Sequence, residues 1–357
     1  MTSQRDQQRR ALAELRELVG LPLDTGQIFR RADEVLRGAL GYDGVCWHGT
    51  DPATGLVTSV LTDDLQLEDF RQAVELEIWT EDVSQFADLR RSSRDAESLS
   101  RATRGRPGTS RRFREQIAPA GFGDELRALF DSAGASWGCA AFMRAPERGA
   151  FRPGEVALAE RAARVLGVAL RSSQLRAAGT SEGGHPPAVL LLDSRNRVVR
   201  ADDRAEALLR EIADDAVGVF QVPTSLLMAV EQARSAQAAA RVAPRLRVRT
   251  HTGAWLVLST SIMGSGADHL AAVVITPATA ADVMPVVFAT YGLTVREREV
   301  ALHVLRGSDT REIARVLSLT PLTVQDHLKS VFTKAGVRSR RDFVAHLIAS
   351  QVPEIWD

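Results

Sequence analysis

Apolar side chains recur at helical spacing at the start of the chain: Leu12, Leu15 and Val19, then Ile28, Ala32, Val35, Leu36, Ala39 and Leu40. This predicts helices over 7–18 and 27–40. The period then changes. YDGVCWHGTDPATGLVTSVLT (42–62) reads as strand, turn and strand, with DPATG as the turn. Helical spacing returns over 67–86. In SRATRGRPGTSRRFRE (100–115), Gly and Pro break any period and six arginines face one glutamate, so a solvated, mobile loop is expected rather than an anion site. SWGCAAFMR (136–144) has the profile of a buried strand, and the stretch from Phe151 closes the segment as a helix with Pro153 near its first turn.

AGTSEGGHPP (178–187) is small and polar, with paired Gly and paired Pro, as in a linker. After it, AVLLLDSRNRVVRAD predicts strand, turn, strand, followed by a helix over DRAEALLREI. RLRVRTHTGAWLVLSTSIM alternates Arg with apolar residues around a THTG turn, a second hairpin, and HLAAVVIT adds a strand. Trp255, just after that turn, is expected in the core. The expected architecture is multidomain: two α+β domains at 1–176 and 188–290, joined by a linker at 177–187, and an all-α four-helix domain at 291–357.

That last segment holds four cap signals. Thr294 and Glu297 have capping-box spacing before Val300, Val304 and Leu305, and Gly307 ends the helix. Asp309 with Glu312 and Ser339 with Asp342 repeat the box, and Thr320 precedes Pro321 at a first helical position. On a wheel of the third helix, Val324, His327, Leu328, Val331 and Ala335 form the inner stripe. Leu322, Gln325, Asp326, Lys329 and Thr333 form the outer face, while Lys334 falls at the border. An amide, an ammonium and methyl groups on one face suit the major groove: Gln pairs with adenine edges, Lys with guanine or phosphate, methyls with thymine. Asp326 could accept from cytosine N4 while repelling phosphate. His327 is expected to pack in the core, and His303 and His346 share no metal-ligand spacing with it.

Composition narrows the function further. Lys329 and Lys334 are the only lysines against 43 arginines, which excludes a P-loop, a protein-kinase strand lysine, a Schiff-base lysine and a receiver-domain lysine from the first 328 residues. Net charge is zero, and only 291–350 is basic, with ten basic against six acidic side chains, a modest footprint for nucleic acid. No apolar run is long enough to span a bilayer, and MTSQRDQQRR lacks a secretory apolar stretch, so no membrane partner is expected. Cys46 and Cys139 stand without a CxxC motif, which fits a reducing cytoplasm. Cys46-Trp47-His48, with Trp79, Trp137 and Cys139, invites a haem, bilin or thiol-redox reading; small apolar residues on strands is the favoured one. The cofactor is left unknown, and no catalytic constellation is evident, so the chain is expected not to be an enzyme.

The hallmarks LTVREREV, REIA, LTVQDHLKSVF, KAGV and SRRD make residues 292–348 similar to the LuxR-type (NarL/FixJ-type) helix-turn-helix. The resemblance implies sequence-specific binding of double-stranded DNA as a homodimer, with the third helix in the major groove. It places Gln325, Asp326 and Lys329 at base-contact positions and Thr323, Lys334, Arg338 and Arg340 at backbone-contact positions. It also makes FVAHLIAS (343–350) the dimer face and RNA polymerase a partner. Asp326 and the acidic Gly307-Ser308-Asp309 turn depart from the family pattern. The two N-terminal segments resemble GAF and PAS sensor domains, respectively, which implies a possible small-molecule ligand in the GAF-like domain. The alternative is a signalling or ligand-binding module whose helix-turn-helix serves a σ-like protein interaction.

Overall fold

The computed structural model describes residues 4–62, 70–92, 94–176, 186–212, 222–264, 266 and 269–351; the expected linker falls almost wholly outside them. The first domain is a five-stranded antiparallel sheet of β1 (Gly44–Thr50), β2 (Val57–Leu61), β3 (Ala96–Ser98), β4 (Asp124–Ser132) and β5 (Ala135–Arg144), in the order β2-β1-β5-β4-β3. Its helices are α1 (Gln4–Glu17), α2 (Thr25–Leu40), α3 (Phe70–Ile78), α4 (Phe86–Arg91), α5 (Leu99–Ala102) and α6 (Pro153–Arg176). Asp24 and Gln27 cap α2 reciprocally, and Gly41 ends it at φ +66°, a left-handed conformation cheap only for glycine.

The two faces of this sheet differ. Trp47, Phe130 and Phe142 pack with Phe29 of α2 and with α6; Trp47 stacks on Phe29 at 5.4 Å and meets Phe142 edge-on at 5.3 Å. By strand alternation, Cys46, His48, Glu125, Arg127, Leu129 and Cys139 face the other way.

The second domain holds another antiparallel sheet, β6 (Ala188–Leu192), β7 (Val198–Ala201), β8 (Leu246–Arg249), β9 (Trp255–Met263) and β10 (Leu270–Pro277). Its order, β7-β6-β10-β9-β8, repeats the topology of the first. With it come α7 (Asp203–Glu211) and α8 (Thr224–Ala238). Ten of the fifteen residues of α8 are buried, Leu226 and Val230 completely, because the helix is wedged between β9 of its own domain and β2 and α3 of the first. A helix buried all round belongs to a core rather than a surface. Polar groups hold it in register: Glu231 accepts from Trp79 Nε1 (2.8 Å) and Asn196 Nδ2 (2.8 Å).

A helix not foreseen from the pattern, α9 (Ala280–Thr290), follows β10, capped reciprocally by Thr279 and Asp282, and packs on α6. Then come α10 (Val295–Leu305), α11 (Thr310–Val316), α12 (Pro321–Ala335) and α13 (Arg340–Gln351).

Two further expectations need correction. The helix over 67–86 is interrupted, with α3 ending at Ile78 and α4 starting at Phe86. The arginine-rich stretch 100–115 is not simply a solvated loop. It carries a 3-10 turn at Pro107–Thr109 and a π-helical turn beginning at Phe113, and Arg112 is buried against Glu125 at 2.8 Å. The buried acid outweighs the turn-forming Gly and Pro there, since a desolvated guanidinium is tolerated only when paired.

Candidate nucleic-acid interface

Each helix of the C-terminal unit starts where its cap residue stands. Thr294 N donates to Glu297 Oε2 (2.7 Å) and Glu297 N donates back to Thr294 Oγ1 (3.3 Å). Asp309 accepts from Glu312 N (2.8 Å), Thr320 from Thr323 N (3.1 Å) and Ser339 from Asp342 N (3.0 Å). Pro321 occupies the first turn of α12 and Gly336 closes it at φ +70°. The turn between α11 and α12 passes through Ser318 at φ +54°, a left-handed residue where glycine would be easier.

The core joins Val300, Val304, Ile313, Ala314, Val324, Leu328, Val331, Ala335, Phe343 and Leu347. Thus Val324, Leu328, Val331 and Ala335 of the expected inner stripe are buried, and His327 is half-buried beside them. Leu322, Gln325, Asp326, Lys329 and Thr333 are exposed, so the wheel's outer face is a solvent-facing row along one side of α12. Leu322 is 69% exposed at the start of this row.

The backbone-contact candidates sit in different surroundings. Arg338 is exposed and Thr323 is half-buried at the start of α12, where its hydroxyl meets that of Thr320 at 2.9 Å. Arg340 reaches back to the Ser308 carbonyl, tying α13 to the turn after α10. Lys334, itself exposed, reaches the start of α10: its Nζ donates to Glu297 Oε2 (2.6 Å) and to the Gly292 carbonyl (3.1 Å). Glu297 also accepts from Ser330 Oγ at 2.6 Å. Burial alone would raise its carboxyl pKa, but these hydrogen bonds from Lys334, Ser330 and Thr294 bring it down to about 2. The carboxylate that caps α10 therefore also fastens α12. Its capping role was readable from T-x-x-E spacing; the link to Ser330 and Lys334, more than thirty residues on, was not.

In the first domain, the sheet face opposite α6 is filled by charge. Glu125 accepts from Arg112 Nη2 (2.8 Å) and Arg127 Nε (3.1 Å), and Arg127 Nη1 donates to Glu77 (2.7 Å). Burial would raise the Glu125 carboxyl, and the two guanidinium groups hold it below the ordinary range. Among these side chains His48 is buried and neutral, its pKa lowered by burial and by Arg127 to about 3. Cys46 and Cys139 are free and buried; burial pushes the Cys46 thiol up to about 12 and Cys139 in the same direction. Trp137 and Trp255 are in the core, whereas Trp79 lies at the surface against α8. Among the described residues no group of three His, Cys, Asp or Glu side chains could hold a metal ion. No helix among them is long and apolar enough to cross a membrane.

The profile of the family described as "Bacterial regulatory proteins, luxR family" matches residues 292–347, the span of α10 to α13. The spore germination protein GerE of Bacillus subtilis (strain 168) is 38% identical over 56 residues, 16% of this chain and 76% of that protein. Among solved structures, the Vibrio cholerae LuxR-type receptor VqmA aligns with 20% identity over 47% of this chain and 86% of its own, at a TM-score of 0.21. Escherichia coli SdiA aligns with 12% identity over 96% of each chain, at 0.27. TM-scores this low establish no shared arrangement for the N-terminal domains. The C-terminal match, the four capped helices and the solvent-facing row on α12 converge: this chain belongs to the luxR family of bacterial regulatory proteins and carries that family's DNA-binding helix-turn-helix.

Proposed function

We propose that the chain regulates transcription in the cytoplasm by binding double-stranded DNA as a homodimer, with α12 in the major groove. In this reading Gln325, Asp326 and Lys329 contact base edges, and Thr323, Arg338 and Arg340 lie along the phosphate backbone. Lys334 joins them at the backbone and also holds α12 on α10 through Glu297. The carrying observation is the exposed row on α12, where amide, carboxylate and ammonium groups face solvent. Residues 1–176 and 188–290 act as GAF-like and PAS-like sensor domains that modulate spacing of the two recognition helices, which must sit about 34 Å apart to read adjacent half-sites. RNA polymerase is the expected protein partner.

Fluorescence anisotropy with a selected duplex tests this reading across a salt series. Lys329→Ala should weaken the selected site by about 1–3 kcal/mol while sparing scrambled DNA; a loss equal for both, with a flatter salt slope, would move Lys329 to the phosphates. Unchanged binding by both Lys329→Ala and Gln325→Ala would remove α12 as the reading element.

A further inference from the structure

A cleft of about 420 Å³ opens between the two N-terminal domains. One wall is the first turn of α2 with strands β1 and β2; the other is the β8–β9 hairpin and the end of α7. Its volume falls within the ~300–1,000 Å³ typical of small-molecule sites, which favour such domain boundaries. Phe29 and Trp137 of the first domain and Trp255 of the second all line it.

Three arginines on and before β8 have different fates. Arg245 pairs with Asp282 at 2.8 Å, and Arg247 pairs across the domain boundary with Asp51 at 3.3 Å. Arg249 lines the cleft, and its Nε donates to the Gly253 carbonyl (3.1 Å), but no carboxylate among the described residues pairs with its guanidinium. Burial pulls its pKa below the ordinary arginine value, opposed only by the charge of Asp24 across the cleft. That carboxylate is already turned to the α2 cap, accepting from Gln27 N at 2.8 Å. A partly desolvated guanidinium fork left without an anion is costly, and it matches a carboxylate bidentately.

We propose that this cleft binds a small organic carboxylate, held by Arg249 above a floor that the nearly buried Phe29, Trp137 and Trp255 close. Because the walls belong to different domains, an occupant favours the docked pair over the separated one by mass action. The claim stands apart from the DNA-binding reading, since it is read on ligand rather than on DNA.

The test is isothermal titration of the full chain with phenylacetate and hexanoate, each against its neutral primary amide, with tryptophan fluorescence in parallel. At least one carboxylate should bind saturably and about tenfold or more tighter than its amide, as a charge-assisted contact in a partly buried site requires. Arg249→Gln should lose that preference and Arg249→Lys should retain part of it, with circular dichroism showing both folded. Should Arg249→Gln fail to fold, the carboxylate–amide comparison on the unaltered chain decides alone. No binding by either carboxylate, equal binding of acid and amide, or wild-type affinity in Arg249→Gln would overturn the proposal.

Discussion

Replacing Glu297 with glutamine removes one negative charge from the point where α10 and α12 meet and leaves the shape nearly unchanged. In the folded chain the Glu297 pKa lies at about 2, against an ordinary 4.5. A displacement of that size corresponds to roughly 3 kcal/mol of stability at neutral pH, at about 1.4 kcal/mol per unit. The amide keeps an acceptor for Thr294 N–H or Ser330, so the expected loss is about 2 kcal/mol. The pH dependence has a definite sign. A carboxyl with a depressed folded pKa stabilises fully above its unfolded value of 4.5, and that stability drains away as pH falls towards about 2. Hydrogen exchange on peptides covering α10 and α12, at pH 7, reads the effect where it should occur. Lys334→Met and the double variant complete a cycle. Because Lys334 and Glu297 share a 2.6 Å contact, their losses should fall short of additivity by about 1 kcal/mol or more. Additive losses, or unchanged protection in Glu297→Gln, would refute the reasoning. So would a difference between Glu297→Gln and the unaltered chain that does not shrink as pH falls from 4.5 towards 2.

Other consequences can be checked separately. Leu226→Ala empties a fully buried position on α8 and should cost about 2–5 kcal/mol, with exchange protection falling in both β2 and β9 because the helix serves two domains. A loss confined to β9 would mean the wedge does not join them. With the Cys46 thiol near 12 and Cys139 shifted the same way, native chain at pH 8 should present on the order of a thousandfold less thiolate than unfolded chain, so a disulfide reagent should label the thiols only after denaturation. Rapid native labelling would contradict this. The His48 imidazole should show no inflection in its proton shifts as pH is lowered from 7.5 to 4.5, because burial and Arg127 keep it neutral; a midpoint near 6.5 would place it in solvent.

The C-terminal unit was legible because its signals are local. Cap residues precede their helices by one position, and the period of α12 divides Val324, Leu328 and Val331 from Gln325 and Lys329 without knowledge of any neighbour. Hairpins with DPATG and THTG turns were readable for the same reason. What escaped depends on partners distant in sequence. Asp124-Glu125-Leu126-Arg127 in β4 does not read as a buried strand, since Glu125 and Arg127 are paired by Arg112 and Glu77 from other elements and Asp124 accepts from the Ser100 and Phe151 backbone. Helix α8 has little amphipathic signature, since nearly every side is covered. Lys334 sat at the margin of the wheel, and only the fold shows that Glu297 claims it. Arg249 looked like one member of an alternating hairpin, and its lack of an acid emerges only beside the paired Arg245 and Arg247.

The central claim is that the outward row of α12 reads DNA sequence. Selection of bound duplexes from a random pool, run in parallel on the unaltered chain, Gln325→Ala and Lys329→Ala, tests it most directly. The expected result is an enriched two-fold symmetric site from the unaltered chain, with preference relaxed at one base pair per half-site in each variant. Recovery of the same sequence with the same stringency from all three proteins, or no enrichment by the unaltered chain, would contradict it.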